Sequence, residues 1–124
     1  MEAVKTDAAP AAIGPYSQAI VSEGFLFTSG QIPLIPETGE IVEEGIVEQT
    51  ERVMENLKQV LAAAGSDFSK GVKTTCFLTD LDNFGAFNDV YGRYFTSTPP
   101  ARSTIQVAAL PRGALVEVEV VARI

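Results

Sequence analysis

The sequence predicts an α+β fold, with two helices packed on one face of a mostly antiparallel sheet. Three patterns predict it. Apolar residues recur at threes and fours in two stretches, one beginning near Ile46 and one near Phe84, which is the helical period. Short β-rich runs bounded by Gly, Pro, Asp and Ser surround both stretches, as strands and turns do. The final run, Leu115 to Arg123, alternates with period two and has one wholly apolar face.

Tyr16 to Val21 and Phe25 to Ile32 read as two strands around a Ser22-Glu23-Gly24 turn. Pro36-Glu37-Thr38-Gly39 is a second turn, in which Gly39 can supply positive φ. Ile41 and Val42 read as a short strand after it. The first helix carries Ile46, Val47, Val53, Met54, Leu57, Val60, Leu61 and Ala64 on one side and Glu48, Glu51, Arg52, Glu55, Lys58 and Gln59 on the other. Gly65 is its natural stop. Val72 to Thr79 is the next strand. Asp80, Asp82 and Asn83 offer caps for a second helix with the stripe Phe84, Phe87, Tyr91 and Phe95. Pro99-Pro100 forces an extended entry to the next segment.

Two strands close the chain. Arg102 to Ala109 divides into Ser103, Ile105, Val107 and Ala109 on one face and Arg102, Thr104, Gln106 and Ala108 on the other. In Leu115 to Arg123, Val116, Val118, Val120 and Ala122 oppose Leu115, Glu117, Glu119, Val121 and Arg123. Two helices suffice to cover one side of the sheet, and the all-apolar faces belong there. The other side is too apolar for open water, so it is expected to meet another chain. Pro111 to Ala114 is a short connection, which predicts an antiparallel hairpin between these strands. In that register Arg102 lies about 20 Å from Glu117 within one subunit, so a small substrate could touch both only between subunits.

Composition narrows the chemistry. The 124 residues suit one domain spanning 1–124, and 46% hydrophobic with 20% charged residues is an ordinary globular mixture. No apolar run approaches the roughly 18–20 residues that span a bilayer. Met1 to Ala12 has no basic cluster followed by an apolar block, so a cytoplasmic protein is expected. Nine basic residues against 16 acidic ones, a net charge of -7, argue against nucleic acid as a partner. With no histidine and a single cysteine, Cys76, Ser-His and Cys-His pairs and thiolate zinc sites are excluded. Catalysis must come from carboxylates, Arg, Lys, Tyr, hydroxyls and backbone.

Three segments, Gly14-Pro15-Tyr16-Ser17-Gln18-Ala19, Ser29-Gly30-Gln31-Ile32-Pro33 and Pro100-Ala101-Arg102-Ser103-Thr104, resemble the signatures of the Rid family of reactive-intermediate deaminases, most closely its RidA subgroup. The resemblance runs from Ala11 to the C-terminus. It implies a chorismate-mutase-like fold assembled as a homotrimer with clefts between subunits. It also implies 2-iminobutanoate/2-iminopropanoate deaminase activity, with imino and 2-keto acids as small-molecule partners and no metal or cofactor. The family's carboxylate-binding arginine falls on Arg102 and the glutamate associated with the reacting water on Glu117. Tyr16, Ser29, Gly30 and Asn88 match positions lining the family's cleft. Thr104 stands where many RidA proteins carry cysteine, so no thiol is required, and Cys76 is no substitute.

These residue types suit that chemistry. A planar guanidinium holds a carboxylate through two parallel hydrogen bonds, and a glutamate can serve as general base for water. Burial at an interface is expected to raise the Glu117 pKa and a neighbouring arginine to oppose the rise. Each residue also has a plainer reading. Arg102 can be a surface arginine, Tyr16 a packing residue that closes the cleft, Ser29-Gly30 a bulge, Asn88 a structural hydrogen bonder. Asp80 and Asp82 read as caps rather than metal ligands, and Cys76 as core. Glu117 and Glu119 share a face, and only the family alignment selects Glu117. The alternatives to an imine hydrolase are a non-catalytic 2-keto-acid-binding module, which needs Arg102 but not Glu117, and a ribonuclease, which the acidic balance and missing histidine disfavour.

Overall fold

In the computed structural model, which describes residues 1–124, Glu23 and Gly24 hold φ of 53° and 80°. This is the I′-type combination whose twist suits an antiparallel hairpin, and it joins β2 (Ala19–Ser22) to β3 (Phe25–Thr28). Both strands are shorter than their apolar runs. Beyond β3 only Gln31 keeps pairing, by an isolated bridge to Val118. Ile41 likewise makes one bridge, to Leu34, rather than a strand.

The first helix, α1, spans Ile46–Ala63. It ends as its sequence dictates: Gly65 sits at φ 76°, its N–H reaches Ala62 O at 3.0 Å and the Ser66 N–H reaches Leu61 O at 2.9 Å, which is the Schellman pattern. Val53, Met54, Leu57, Val60 and Leu61 are buried. Gln49 and Asn56 are buried with them and bind the backbone of the preceding loop, Gln49 Nε2 donating to Val42 O and Asn56 Nδ2 to Leu34 O, each at 2.9 Å. Next come β4 (Gly71–Leu78), α2 (Phe84–Tyr91), β5 (Ala101–Gln106) and β6 (Val116–Arg123). Asp80 caps the short 3-10 turn before α2, accepting from the Asp82 N–H at 2.8 Å.

The expected hairpin between the last two strands does not form. The sheet runs β1-β2-β3-β6-β4-β5, so β4 lies between β5 and β6. The cause is α2. A strand–helix–strand passage from β4 to β5 makes a parallel pair, and β5 pairs parallel with β4 while β6 pairs antiparallel with its other edge. Residues 107–115 then cross the end of β4, with the Val107 N–H bound to Leu78 O and the Thr79 N–H to Leu115 O. All other strand pairs are antiparallel. The outer strand β1 (Glu2–Val4) pairs with β2, and the sequence patterns do not predict it. Gln18 ties it down, accepting from the Thr6 N–H and donating to Thr6 O and Pro10 O.

Both helices cover one face. Val116, Val118, Val120 and Ala122 of β6 join Cys76 and Leu78 of β4 and Phe87 and Tyr91 of α2 in one buried cluster. In β5 the helix side instead receives Arg102 and Thr104, which pair with Thr74 and Cys76, while Ile105 stays exposed on the other side. That open face also holds Phe25 and Phe27, both exposed, with Glu117, Glu119 and Val121. No helix is long and apolar enough to cross a membrane.

Candidate functional site: a clamped arginine and a half-buried carboxylate on opposite faces

Arg102 stands near the start of β5, the outermost strand, against one side of α2. Its Nη1 donates to Asn88 Oδ1 at 2.7 Å. Its Cζ lies 4.9 Å from the centre of the Tyr91 ring and 5.3 Å from that of Phe84. Phe84, Asn88 and Tyr91 are spaced at i, i+4 and i+7, one face of a helix, so a single helical stripe touches this arginine three times. The Tyr91 hydroxyl shares a 2.8 Å hydrogen bond with Thr74 Oγ1. Thr104, next on the same side of β5, buries a hydroxyl with no hydrogen-bond partner in the chain. Beside it Cys76 is wholly buried, and burial pushes its thiol up to about 11, so it remains a protonated core residue.

Glu117 lies on the other face. It is half-buried, and burial raises its pKa, with the negative charge of Glu119 adding to the rise. No basic side chain forms an ion pair with it; the one salt bridge of the chain joins Arg93 to Glu51. Its carboxyl group lies over the backbone of residue 30, where a Cβ would come within 2.8 Å of Glu117 Cδ. A side chain at residue 30 would therefore displace the Glu117 carboxylate, and the φ of Gly30 is not of the left-handed kind. Paired main-chain bonds between Gln31 and Val118, 2.9 and 3.2 Å, fix this approach. Ser29 is anchored just before it, its Oγ donating to Ser17 O at 2.6 Å and its N–H to Gln18 O at 2.9 Å. Tyr16 is half exposed, and its hydroxyl accepts from the Ile13 N–H at 3.4 Å.

The seven residues singled out in the sequence thus fall into two groups. Arg102, Asn88 and Thr104 gather at the α2 side of β5. Glu117 and Gly30 meet on the open face; Ser29 adjoins Gly30 after β3, and Tyr16 stands in the segment before β2, next to Ser17, whose carbonyl oxygen Ser29 binds. Register gives the separation: Arg102 pairs with Thr74 and Glu117 with Phe77. Three residues along and two strands across place the two backbones about 14 Å apart, with side chains on opposite faces. The 20 Å of the hairpin register is replaced by this geometry, in which the sheet itself intervenes. Arg102 has no part in setting the Glu117 pKa within one chain. The apolar stripe of α2 marks Phe84 and Tyr91 as core alone; their spacing with Asn88 is the signal that ties them to Arg102.

The fold and these groups define a small α+β protein offering a fixed guanidinium and a partly desolvated carboxylate. The chain belongs to the endoribonuclease L-PSP family, the Rid family, whose model matches residues 6–124. Protein DfrA of Myxococcus xanthus is 60% identical over 123 residues, covering 98% of this chain and 94% of that protein. A 2-iminobutanoate/2-iminopropanoate deaminase of Mus musculus is 48% identical over 119 residues, 96% and 88% of the two chains. The crystal structure of RidA from a Psychrobacter species matches with a TM-score of 0.96 at 41% identity, covering 100% of both chains.

Proposed function

We propose that this protein hydrolyses reactive enamine and imine intermediates, 2-aminoacrylate with 2-iminopropanoate and 2-iminobutanoate, to 2-keto acids and ammonia. It works in the cytoplasm as a homotrimer of single 1–124 domains with the chorismate-mutase-like fold, each site lying between two subunits. The observation that carries this reading is Glu117: a half-buried carboxylate laid over the bare backbone of Gly30, its pKa raised by burial and no ion-pair partner within its own chain. Such a group suits a general base better than a structural anion. The deaminase name carried by the Mus musculus relative supports the substrate class.

In this mechanism Arg102 of one subunit holds the substrate carboxylate, with Asn88 and Thr104 beside it. Glu117 of the neighbour, with Tyr16, Ser29 and Gly30, forms the opposite wall. Water adds to the carbon of the protonated C=N bond while Glu117 takes a proton from it. Glu117 returns that proton to nitrogen, the C–N bond breaks, and the hydroxyl proton passes through Glu117 to the departing ammonia as the carbonyl forms. The products are a 2-keto acid and ammonium. Fixing the C=N carbon beside a held water supplies much of the acceleration. The iminium is already electrophilic, so these residues complete the reaction without a cofactor or metal.

The test is a coupled assay in which a threonine dehydratase makes the imine and semicarbazide traps it. The protein is expected to suppress semicarbazone formation, and Arg102→Ala and Glu117→Ala to lose that effect while folded and equal in size. If the protein fails to suppress trapping yet binds 2-keto acids through Arg102, the binding-module reading replaces this one. Cleavage of RNA by the same preparation, abolished by either substitution, would restore the ribonuclease reading that the net charge of -7 argues against.

A further inference from the structure

Tyr91 is 6% exposed and packs on Phe87 and Phe95, ring centres 5.4 and 4.7 Å away. Packing alone accounts for an aromatic ring there. It does not account for the direction of the ring, which a buried hydroxyl pair with Thr74 holds, nor for the guanidinium lying against it. Phe84 supplies a second aromatic contact to the same cation, and Asn88 takes one hydrogen of Nη1. Nε and Nη2 have no hydrogen-bond partner in the chain: the Asn88 bond is the one Arg102 side-chain bond formed.

We propose that Tyr91 is the positioning residue of Arg102: with Phe84 and Asn88 it holds the guanidinium so that its Nε–Nη2 edge faces outward as the carboxylate-reading edge. This rests on the reading of Arg102 as the carboxylate binder and adds which edge reads it and what holds that edge. An arginine on an exposed strand otherwise rotates among many rotamers, and each bond to a ligand must repay that lost freedom. Aromatic faces attract a cation from the side while leaving its in-plane donors free. The Nε–Nη2 edge is a planar two-donor fork, matched by a planar carboxylate. A lysine offers a point charge and no such edge, so the site is specific for arginine at 102, and for a carboxylate over a simple anion such as chloride.

The experiment observes the Arg102 Nε–Hε group by NMR in the full-length protein, assigned as the signal missing from Arg102→Lys. In the free protein a discrete Hε signal is expected, displaced upfield by the aromatic rings, less displaced in Tyr91→Phe, whose ring lacks the bond to Thr74, and moved back toward the ordinary arginine position in Tyr91→Leu. Adding 2-oxobutanoate is expected to shift Hε, whereas equimolar chloride leaves it in place. The dissociation constant for 2-oxobutanoate is expected to rise about tenfold in Tyr91→Leu and to change less than about twofold in Tyr91→Phe. Should Tyr91→Leu fail to fold, Phe84→Leu, at a half-buried position on the edge of the core, reads the second contact, with a partial loss of the upfield displacement expected. An undisplaced, freely averaging Hε in the unsubstituted protein overturns the proposal whether or not the protein is a deaminase. A displaced Hε that ignores 2-oxobutanoate leaves the clamp but overturns the carboxylate edge and, with it, the assigned role of Arg102.

Discussion

Glu117 and Gly30 are one device at the scale of single residues, a carboxylate laid over a backbone that has no Cβ to obstruct it. Gly30→Ala must push the carboxylate away, and a displacement of this order costs on the order of 100-fold in turnover; steady-state kinetics on folded protein checks this. The pKa of Glu117 is raised by burial and then by Glu119. In the proposed mechanism its base form is the working form, so kcat/KM is expected to rise with pH through a value above the usual 4.5. Glu119→Gln removes the second cause and is expected to move that rise to lower pH. Linkage fixes the sign for stability. The folded state holds this proton more tightly than the unfolded one, so stability is lost as pH climbs from 4.5 through the raised value. Glu117→Gln is therefore expected to melt higher than wild type at pH 7 and level with it at pH 4. Burial also separates the two glutamates that the residues alone leave equivalent: Glu117 is half-buried and Glu119 exposed.

Among the elements, α1 is the most legible in the sequence, because its period and its terminal glycine are both local signals. Gly65 adopts φ 76°, where a Cβ is strained, so Gly65→Ala is expected to cost about 1 kcal/mol, measured by urea unfolding. The β2–β3 hairpin is legible for the same reason, its turn residues standing next to the strands they join. The placement of β5 is only half legible. The strand–helix–strand order of 72–109 favours a parallel pair with β4, the short connection at 111–114 favours a hairpin with β6, and nothing within 101–123 decides between them. The two faces of β5 can be read, but which face meets the helices depends on its pairing with Thr74 and Cys76. Strand β1 has three residues, too few to show a period. The clamp on Arg102 lies between these cases: Phe84, Asn88 and Tyr91 are legibly one helical face, and only the fold brings that face to β5.

At the scale of the whole molecule, one sheet face is covered by helices and the other offers Phe27 and Ile105, each 46% exposed, around Glu117. A face of this kind is suited to contact with another copy. Phe27→Glu is expected to leave the fold intact and the proposed trimer dissociated, read as monomer mass by sedimentation, with turnover lost because each proposed site takes residues from two subunits. Of the proposed site residues, Tyr16, Ser29, Gly30, Arg102 and Thr104 stand within the three motifs, while Asn88 and Glu117 are reached only through the family resemblance; the division between faces is not legible, because it depends on β4 lying between the strands that carry Arg102 and Glu117. Mixing of subunits decides whether each site is shared between two chains. Arg102→Ala and Glu117→Ala chains, each inactive alone, are unfolded together at equal concentration and refolded. A site built from Arg102 of one subunit and Glu117 of the next is intact at about one interface in four in a randomly mixed ring. About a quarter of wild-type imine hydrolysis is the predicted result. No recovery, in mixed trimers verified by mass, would contradict a site shared between subunits.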